Sequence, residues 1–459
     1  MIDIFTLSDE AVDLVAAVDP VSATYQGVSG YDHLWPDYSP DGHRAKADVW
    51  ADLARRAADC NAADERESLA KAVLLDECAV AAELAEAEDH LYQLNNIESP
   101  HQTLRMVFGS MDSSGAEGWE AILSRLETVG EAAEGYRRTL EHGRTTGRTV
   151  AIRQVEAAIE QGITVVTSTS SFDDLRSRLE DWDGATDRHR DRLERGVADA
   201  KQAFADLNEY LERTYAPAAR ADDAVGRDRY TSQARLFLGT ELDWEQTYAW
   251  GWAEVERLWS ELLAVAREID AEKTSVEVFD MLATDPAYAK PSVAEFVEFM
   301  KERQHQALSQ LDGVHFDVPD EIKTIDVQVE PPGGALAASY IPPSEDFTRP
   351  GSVWYPIEGR TSIPVFQEIT IAYHEGFPGH HLQVGLQMTQ GDRLSRFHRS
   401  WVWYPGSGEG WALYAERFMD ELGYLERPEY RLGLLASQLL RSCRIVIDIG
   451  VHLGLPIPE

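Results

Sequence analysis

The chain has 459 residues, with 42 Lys and Arg against 80 Asp and Glu and a formal net charge of −38. A surface this acidic repels phosphate backbones and anionic headgroups, which excludes nucleic acids and membrane surfaces as expected partners. With 44% hydrophobic and 9% aromatic residues, the composition is that of a globular protein with a large core and not of a disordered acidic tail.

The opening Met1-Ile2-Asp3-Ile4-Phe5 has an acid where a secretory signal has Lys or Arg, and no later apolar run approaches the ~20 residues of a membrane span. Cys60, Cys78 and Cys443 are odd in number and lack Cys-x-x-Cys spacing, so they read as reduced packing residues, not a disulfide framework or a thiolate zinc site. These features predict a cytoplasmic protein. From about residue 7 to 312 apolar residues recur at three and four. Leu193, Val197, Ala200, Phe204, Leu207 and Leu211 form the clearest helical stripe. Ser292-Val293-Ala294-Glu295 predicts a helix N-terminus after Pro291, ending before Gly313.

Near residue 320 the period changes. Thr324–Val329, Leu336–Tyr340 and Ser352–Tyr355 alternate like short strands, and Pro331-Pro332-Gly333-Gly334 predicts a turn. After Pro364 helical periodicity returns, through an aromatic loop at Trp401, Trp403 and Tyr404. The expected fold is mainly α with a small inserted β-sheet beside the distinctive helix at 367–383. The expected division is an acidic helical lobe over residues 1–320, then residues 321–459 carrying the sheet and the chemistry. Residues 351–459 hold 9 Arg, no Lys and 12 acids, a net of −3, so −35 of the charge precedes them.

The chemistry centres on His374-Glu375-Gly376-Phe377-Pro378-Gly379-His380-His381. In a zincin helix, His-Glu-x-x-His places two imidazoles one turn apart, where both reach one Zn²⁺. In a straight helix His380, six residues after His374, would lie about 240° around, and His381 about 10.5 Å along the axis. Pro378 removes a ladder hydrogen bond and Gly379 permits unusual dihedrals, so a bulge absorbing two residues would return His380 to the face of His374. Glu375 would then stand beside the metal as general base. A third ligand is expected from Ser407-Gly408-Glu409-Gly410-Trp411, with Glu409 in the first turn of a helix running to Leu422 and the two glycines allowing close approach to the metal helix. Glu416, two turns on, is the alternative ligand or an outer partner. On a later helix Arg441, Arg444, Asp448 and His452 share one face amid apolar residues, and could bind a substrate carboxylate, stabilise an oxyanion or pair internally.

The His374–His381 stretch, the Gly408–Glu416 stretch and the Arg444, Asp448, His452 series resemble the bacterial family catalogued as domain of unknown function 885. Its members look like zincin metallohydrolases, and the resemblance extends weakly to Asp19-Pro20. More distantly, His374-Glu375 with Gly379-His380 is similar to the metal helix of carboxypeptidase Taq and thimet oligopeptidase relatives, which favours His380 over His381. Members of the family usually continue past the His452 region, whereas this sequence stops at Glu459. The resemblance implies a zincin-like fold and a peptidase-type site.

The resulting expectation is a zinc metallopeptidase for short peptides. Zn²⁺ is held by His374, His380 and Glu409, with Glu375 as base. Tyr340, Tyr404 and His452 are candidates for the oxyanion, and Arg441 and Arg444 for substrate binding. A zinc hydrolase of a non-peptide amide or ester, and a metal-binding protein without turnover, are the alternatives.

Overall fold

The computed structural model describes residues 3–168, 170–330, 337–357, 359–391 and 393–457. The expected Pro331–Gly334 turn lies outside them. The fold is mainly α with a few short strands. Two compact units emerge. Met1–Asp223 with Gln390–Val402 forms the first, and Ala224–Glu330, Ala337–Thr389 and Trp403–Glu459 form the second.

The first unit is built from amphipathic helices. Its principal elements are α1 (Ile4–Val18), α2 (Pro40–Asp59), α3 (Glu65–Glu86), α4 (Pro100–Met106), α5 (Ala116–Glu127), α6 (Val129–Thr145), α7 (Ile152–Thr167) and α8 (Asp187–Tyr210). The α8 stripe read from the sequence is buried as expected: Leu193, Val197, Ala200 and Phe204 pack with Trp119, Ile122, Leu123 and Phe172. Buried Arg125 ties the segment between α1 and α2, which opens with a short helix at Pro20–Tyr25, to α5. Its guanidinium donates to the carbonyls of Pro20, Tyr31 and Leu34 and to Thr24 Oγ1. Some acids of this unit form i, i+3 and i, i+4 pairs on solvent faces, such as Glu134 with Arg137, each worth little in water.

In the second unit come α9 (Arg227–Leu238), α10 (Trp244–Ile269), α11 (Ser275–Thr284) and α12 (Val293–Leu311). Later in the chain follow α13 (Glu368–Glu375), α14 (His380–Met388), α15 (Pro405–Glu421) and α16 (Pro428–Leu453). The long helices α10 and α16 pack along each other. At Gly251 an added Cβ would come within 3.0 Å of Ile445 and 3.1 Å of Val446, so the small residue sets their approach. Ser292 caps α12 by accepting the Glu295 N–H at 3.2 Å, as the sequence predicts. Strands β1 (Ala289–Lys290) and β5 (Ile363–Pro364) form a two-residue antiparallel pair absent from the sequence reading. The inserted sheet has the order β2-β4-β3, with β2 (Ile325–Val329) parallel and β3 (Ser339–Ile341) antiparallel to central β4 (Gly351–Tyr355).

One core joins these elements. Leu258 and Leu262 of α10, Phe296 and Met300 of α12, Val327 and Val353 of the sheet, Ile369 and Tyr373 of α13, and Leu432 and Leu435 of α16 are all buried together. That core moves the expected boundary. Residues 224–320, assigned by charge to an acidic lobe, belong with the sheet and the metal motif, because their apolar faces pack there while their acids stay on the outside.

Candidate metal centre

The helix carrying His374 stops at Glu375 and a new helix starts at His380, so the expected two-residue bulge is instead a complete break. The chain turns through residues 376–379, with a cis peptide between Phe377 and Pro378. Gly379 is required sterically, because a Cβ there would lie 1.9 Å from the His374 carbonyl oxygen and 2.4 Å from that of Tyr373. Backbone groups freed by the break need partners. Buried Gln304 on α12 accepts the freed Phe377 N–H at 2.7 Å and anchors itself by donating to the Ala372 carbonyl, which also takes the Gly376 N–H, at 2.5 Å. The Trp411 indole N–H donates to the Pro378 carbonyl at 2.9 Å, fastening the turn to α15.

The break turns His380 back onto His374. Their rings lie 4.9 Å apart and nearly perpendicular, at 85°. Both face one carboxylate: His374 Nε2 is 3.1 Å from Glu409 Oε2, and His380 Nε2 is 3.5 Å from Glu409 Oε1. Glu409 lies in the second turn of α15 rather than the expected first, because the helix begins at Pro405. The histidines are buried, whereas the Glu409 side chain is 53% exposed, so the cluster opens to solvent on its glutamate side. Glu375 Oε1 stands 3.9 Å from His374 Nε2. Gly408 makes its close approach to the Trp403 ring, at 2.2 Å from an added Cβ, and not to the metal helix as expected. Gly410 faces open space. Trp403 in turn presents its ring to His380 at 5.6 Å.

Glu416 is on the other side of His374. Fully buried, it accepts from His374 Nδ1 at 2.7 Å and from Thr370 Oγ1 at 2.5 Å, and Arg441 Nη1 pairs with it at 3.1 Å. Of the two roles the sequence left open for Glu416, the geometry is that of an outer partner: it fixes the tautomer that leaves Nε2 for the cluster. Burial opposes a charge on His374, but Glu409 and Glu416 outweigh it and raise the imidazole to about 9. Glu409 resists burial through the same two histidines and is held well below the usual carboxylate range. Glu375 is shifted the other way, raised by burial against the pull of His374 and His380.

The donor set fits a zinc ion. Bonds of about 2.0–2.2 Å at tetrahedral angles put neighbouring ligand atoms about 3.3–3.6 Å apart. The ligand atoms of His374, His380 and Glu409 all lie within 4.8 Å of one another.

The chain belongs to the bacterial family of unknown function DUF885, which it matches over residues 20–456. No curated protein is significantly similar in sequence. Two solved structures share the fold. A "putative lipoprotein" from Colwellia psychrerythraea is 20% identical with a TM-score of 0.84, and a "putative lipoprotein of unknown function" from Shewanella oneidensis is 16% identical with a TM-score of 0.67. Each comparison covers 99% of this chain and 84% of the other.

The remaining sequence candidates go elsewhere. His381 is fully buried: its Nε2 faces the Ile322 carbonyl at 2.7 Å and its Nδ1 the Tyr340 hydroxyl at 3.1 Å. Burial lowers its pKa to about 4, and with both nitrogens engaged it joins α14 to the sheet. Tyr340, expected at an oxyanion, is thereby occupied on His381. Tyr404 lies against Gly239 at the end of α9. His452 pairs with Asp448, Tyr230 and the Val225 N–H. Arg441 is directed at Glu416 behind His374, and Arg444 is exposed. Gln304, Thr370 and Trp411 were not singled out from the sequence, since a neutral amide, a hydroxyl and an indole on amphipathic helices carry no ligand signature.

Proposed function

We propose that the protein is a zinc-dependent metallopeptidase that hydrolyses short peptides in the cytoplasm. The observation that supports this reading is the convergence of His374 Nε2 and His380 Nε2 on Glu409, with the Glu375 carboxylate 3.9 Å from His374 Nε2. Zn²⁺ held by His374, His380 and Glu409 would supply a bound water of pKa ~7 and polarise the scissile carbonyl. Glu375, its carboxyl raised by burial and standing beside His374, would take a proton from that water and return it to the leaving nitrogen. Glu416 holds the His374 ring in place throughout, backed by Thr370 and Arg441.

Metal analysis of protein purified without added zinc, with a panel of peptides, esters and non-peptide amides, tests the reading. Stoichiometric zinc, peptide turnover, and loss of turnover with zinc retained in Glu375→Gln are expected. Turnover of esters alone would change the substrate class, and zinc without any turnover would leave a binding protein.

A further inference from the structure

The polar face of α16 has a use that the proposed reaction does not absorb. It grips α9, a helix of 12 residues with none buried. A helix this short is marginal in water without an apolar face to bury. Glycines bound it on both sides, Gly226 at φ +81° and Gly239 at φ +64°, in the left-handed region that other residues rarely adopt. The Tyr230 hydroxyl donates to Asp448 Oδ2 at 2.7 Å, and its ring stacks on His452 at 5.1 Å. The Val225 N–H, just before the first glycine, donates to His452 Nδ1 at 3.1 Å. His452 Nε2 lies 3.5 Å from Asp448 Oδ1, which closes the set.

The other end of α9 rests on the element that carries Glu409. An added Cβ on Gly239 would lie 2.7 Å from the Tyr404 ring, and one on Gly406 would lie 2.8 Å from Leu238. Tyr404 and Gly406 open α15, one turn ahead of Glu409, and follow Trp403, whose ring covers His380. A helix only partly buried along its length is thus hinged on glycines, latched at its start by Asp448 and His452, and seated at its end on Tyr404 and Gly406, next to the Trp403 ring that lies against His380.

We propose that α9 is a hinged flap that holds residues 403–406 against His380, latched by Asp448 and His452, and that release of the latch widens access to His380 beyond the opening at Glu409. This rests on the cluster being the reactive site. Lids of this kind open on μs–ms timescales and commonly limit turnover.

The test uses the metal-free, full-length protein, so it needs neither zinc nor substrate. Carbethoxylation of His380 by diethylpyrocarbonate is followed by mass spectrometry, with His398, equally buried in the first unit, as internal control. Tyr230→Phe keeps the ring and removes the bond to Asp448, and Asp448→Asn weakens both latch contacts. Each is expected to speed His380 modification about three- to tenfold, the scale of one lost hydrogen bond, with His398 unchanged. Amide exchange across residues 227–238 should accelerate in step. Faster exchange with an unchanged His380 rate would show that α9 moves but guards nothing, and His398 accelerating in parallel would mean general loosening. Either result overturns the flap, as does unchanged exchange in both variants. A protein that binds no zinc would sink the proposed function, while the His380 rate would still decide the flap.

Discussion

His101 on α4 and His374 on α13 are both almost completely excluded from solvent, and their environments differ in kind. Among the described residues, neither ring nitrogen of His101 has a hydrogen-bond partner. Its ring lies edge-on to Phe204, and burial, helped by nearby Arg105, pulls its pKa down to about 3. His374 has a carboxylate at each nitrogen and is raised to about 9 against its burial. Burial alone therefore does not mark a site. What separates them is the neighbourhood: the first keeps a neutral imidazole as packing, and the second gathers three acids around one ring, a grouping that a protonated imidazole or a bound cation offsets.

The largest expected effect that sharpens this contrast lies between the adjacent histidines. His380→Ala should abolish tight zinc binding in a chelator-competition titration, since it removes one of three ligands. His381→Ala should leave zinc affinity within about tenfold and act instead on stability, because His381 links Ile322 and Tyr340. An exchange of the two phenotypes would move the ligand to His381, and normal affinity in both would remove the centre altogether.

Glu416→Gln comes next. The amide keeps the volume but loses the charge that orients His374 Nδ1–H. Zinc affinity should fall about 10–100-fold, the range typical of outer partners. A drop as large as that of His380→Ala would make Glu416 a ligand in its own right.

The contrast also has a pH sign. The folded pKa of His101, about 3, lies below its unfolded value near 6.5, so between those limits the unfolded chain binds a proton that the folded chain refuses. Its contribution is fully present above pH 6.5 and is lost as pH falls, by up to about 1.4 kcal/mol per unit. Denaturant midpoints at pH 7 and pH 4.5 should separate less in His101→Leu than in the parent. An equal separation in the two proteins would show that His101 is protonated in place.

How much of this is legible in the sequence depends on how narrowly the chemistry restricts residue type. Few residues bind zinc, so His374, His380 and Glu409 stand out even where the helix geometry was read as a bulge. Gln304 sits 70 residues before His374 as a neutral amide in an amphipathic pattern, and its role exists only once α12 packs behind the break. The boundary at Asp223 is hidden because acidity runs on without change through α10 and α12 while their apolar faces join the second core. Internal pairing is one of three uses the sequence leaves open for the Arg441, Arg444, Asp448, His452 face, and Asp448 and His452 pair in that way while Arg444 is exposed. The period of a helix cannot say that the partners are Tyr230 and Val225, more than 200 residues earlier.

The smallest effect concerns Arg441, which the sequence offered to substrate and the fold directs toward Glu416 at 3.1 Å. Glu416 keeps its bonds from Thr370 and His374 when Arg441→Met removes the guanidinium, so zinc affinity should fall only about two- to fivefold, below the range for outer partners that touch a ligand directly. The double variant separates the two roles. If Arg441 acts through Glu416, adding Arg441→Met to Glu416→Gln costs nothing further, because the charge it served is already gone. If Arg441 binds a substrate carboxylate, KM for a peptide with a free C-terminus should rise equally in both backgrounds while zinc affinity stays unmoved. Zinc titrations and KM on the same four proteins therefore decide whether this arginine faces the metal helix in function as it does in the fold.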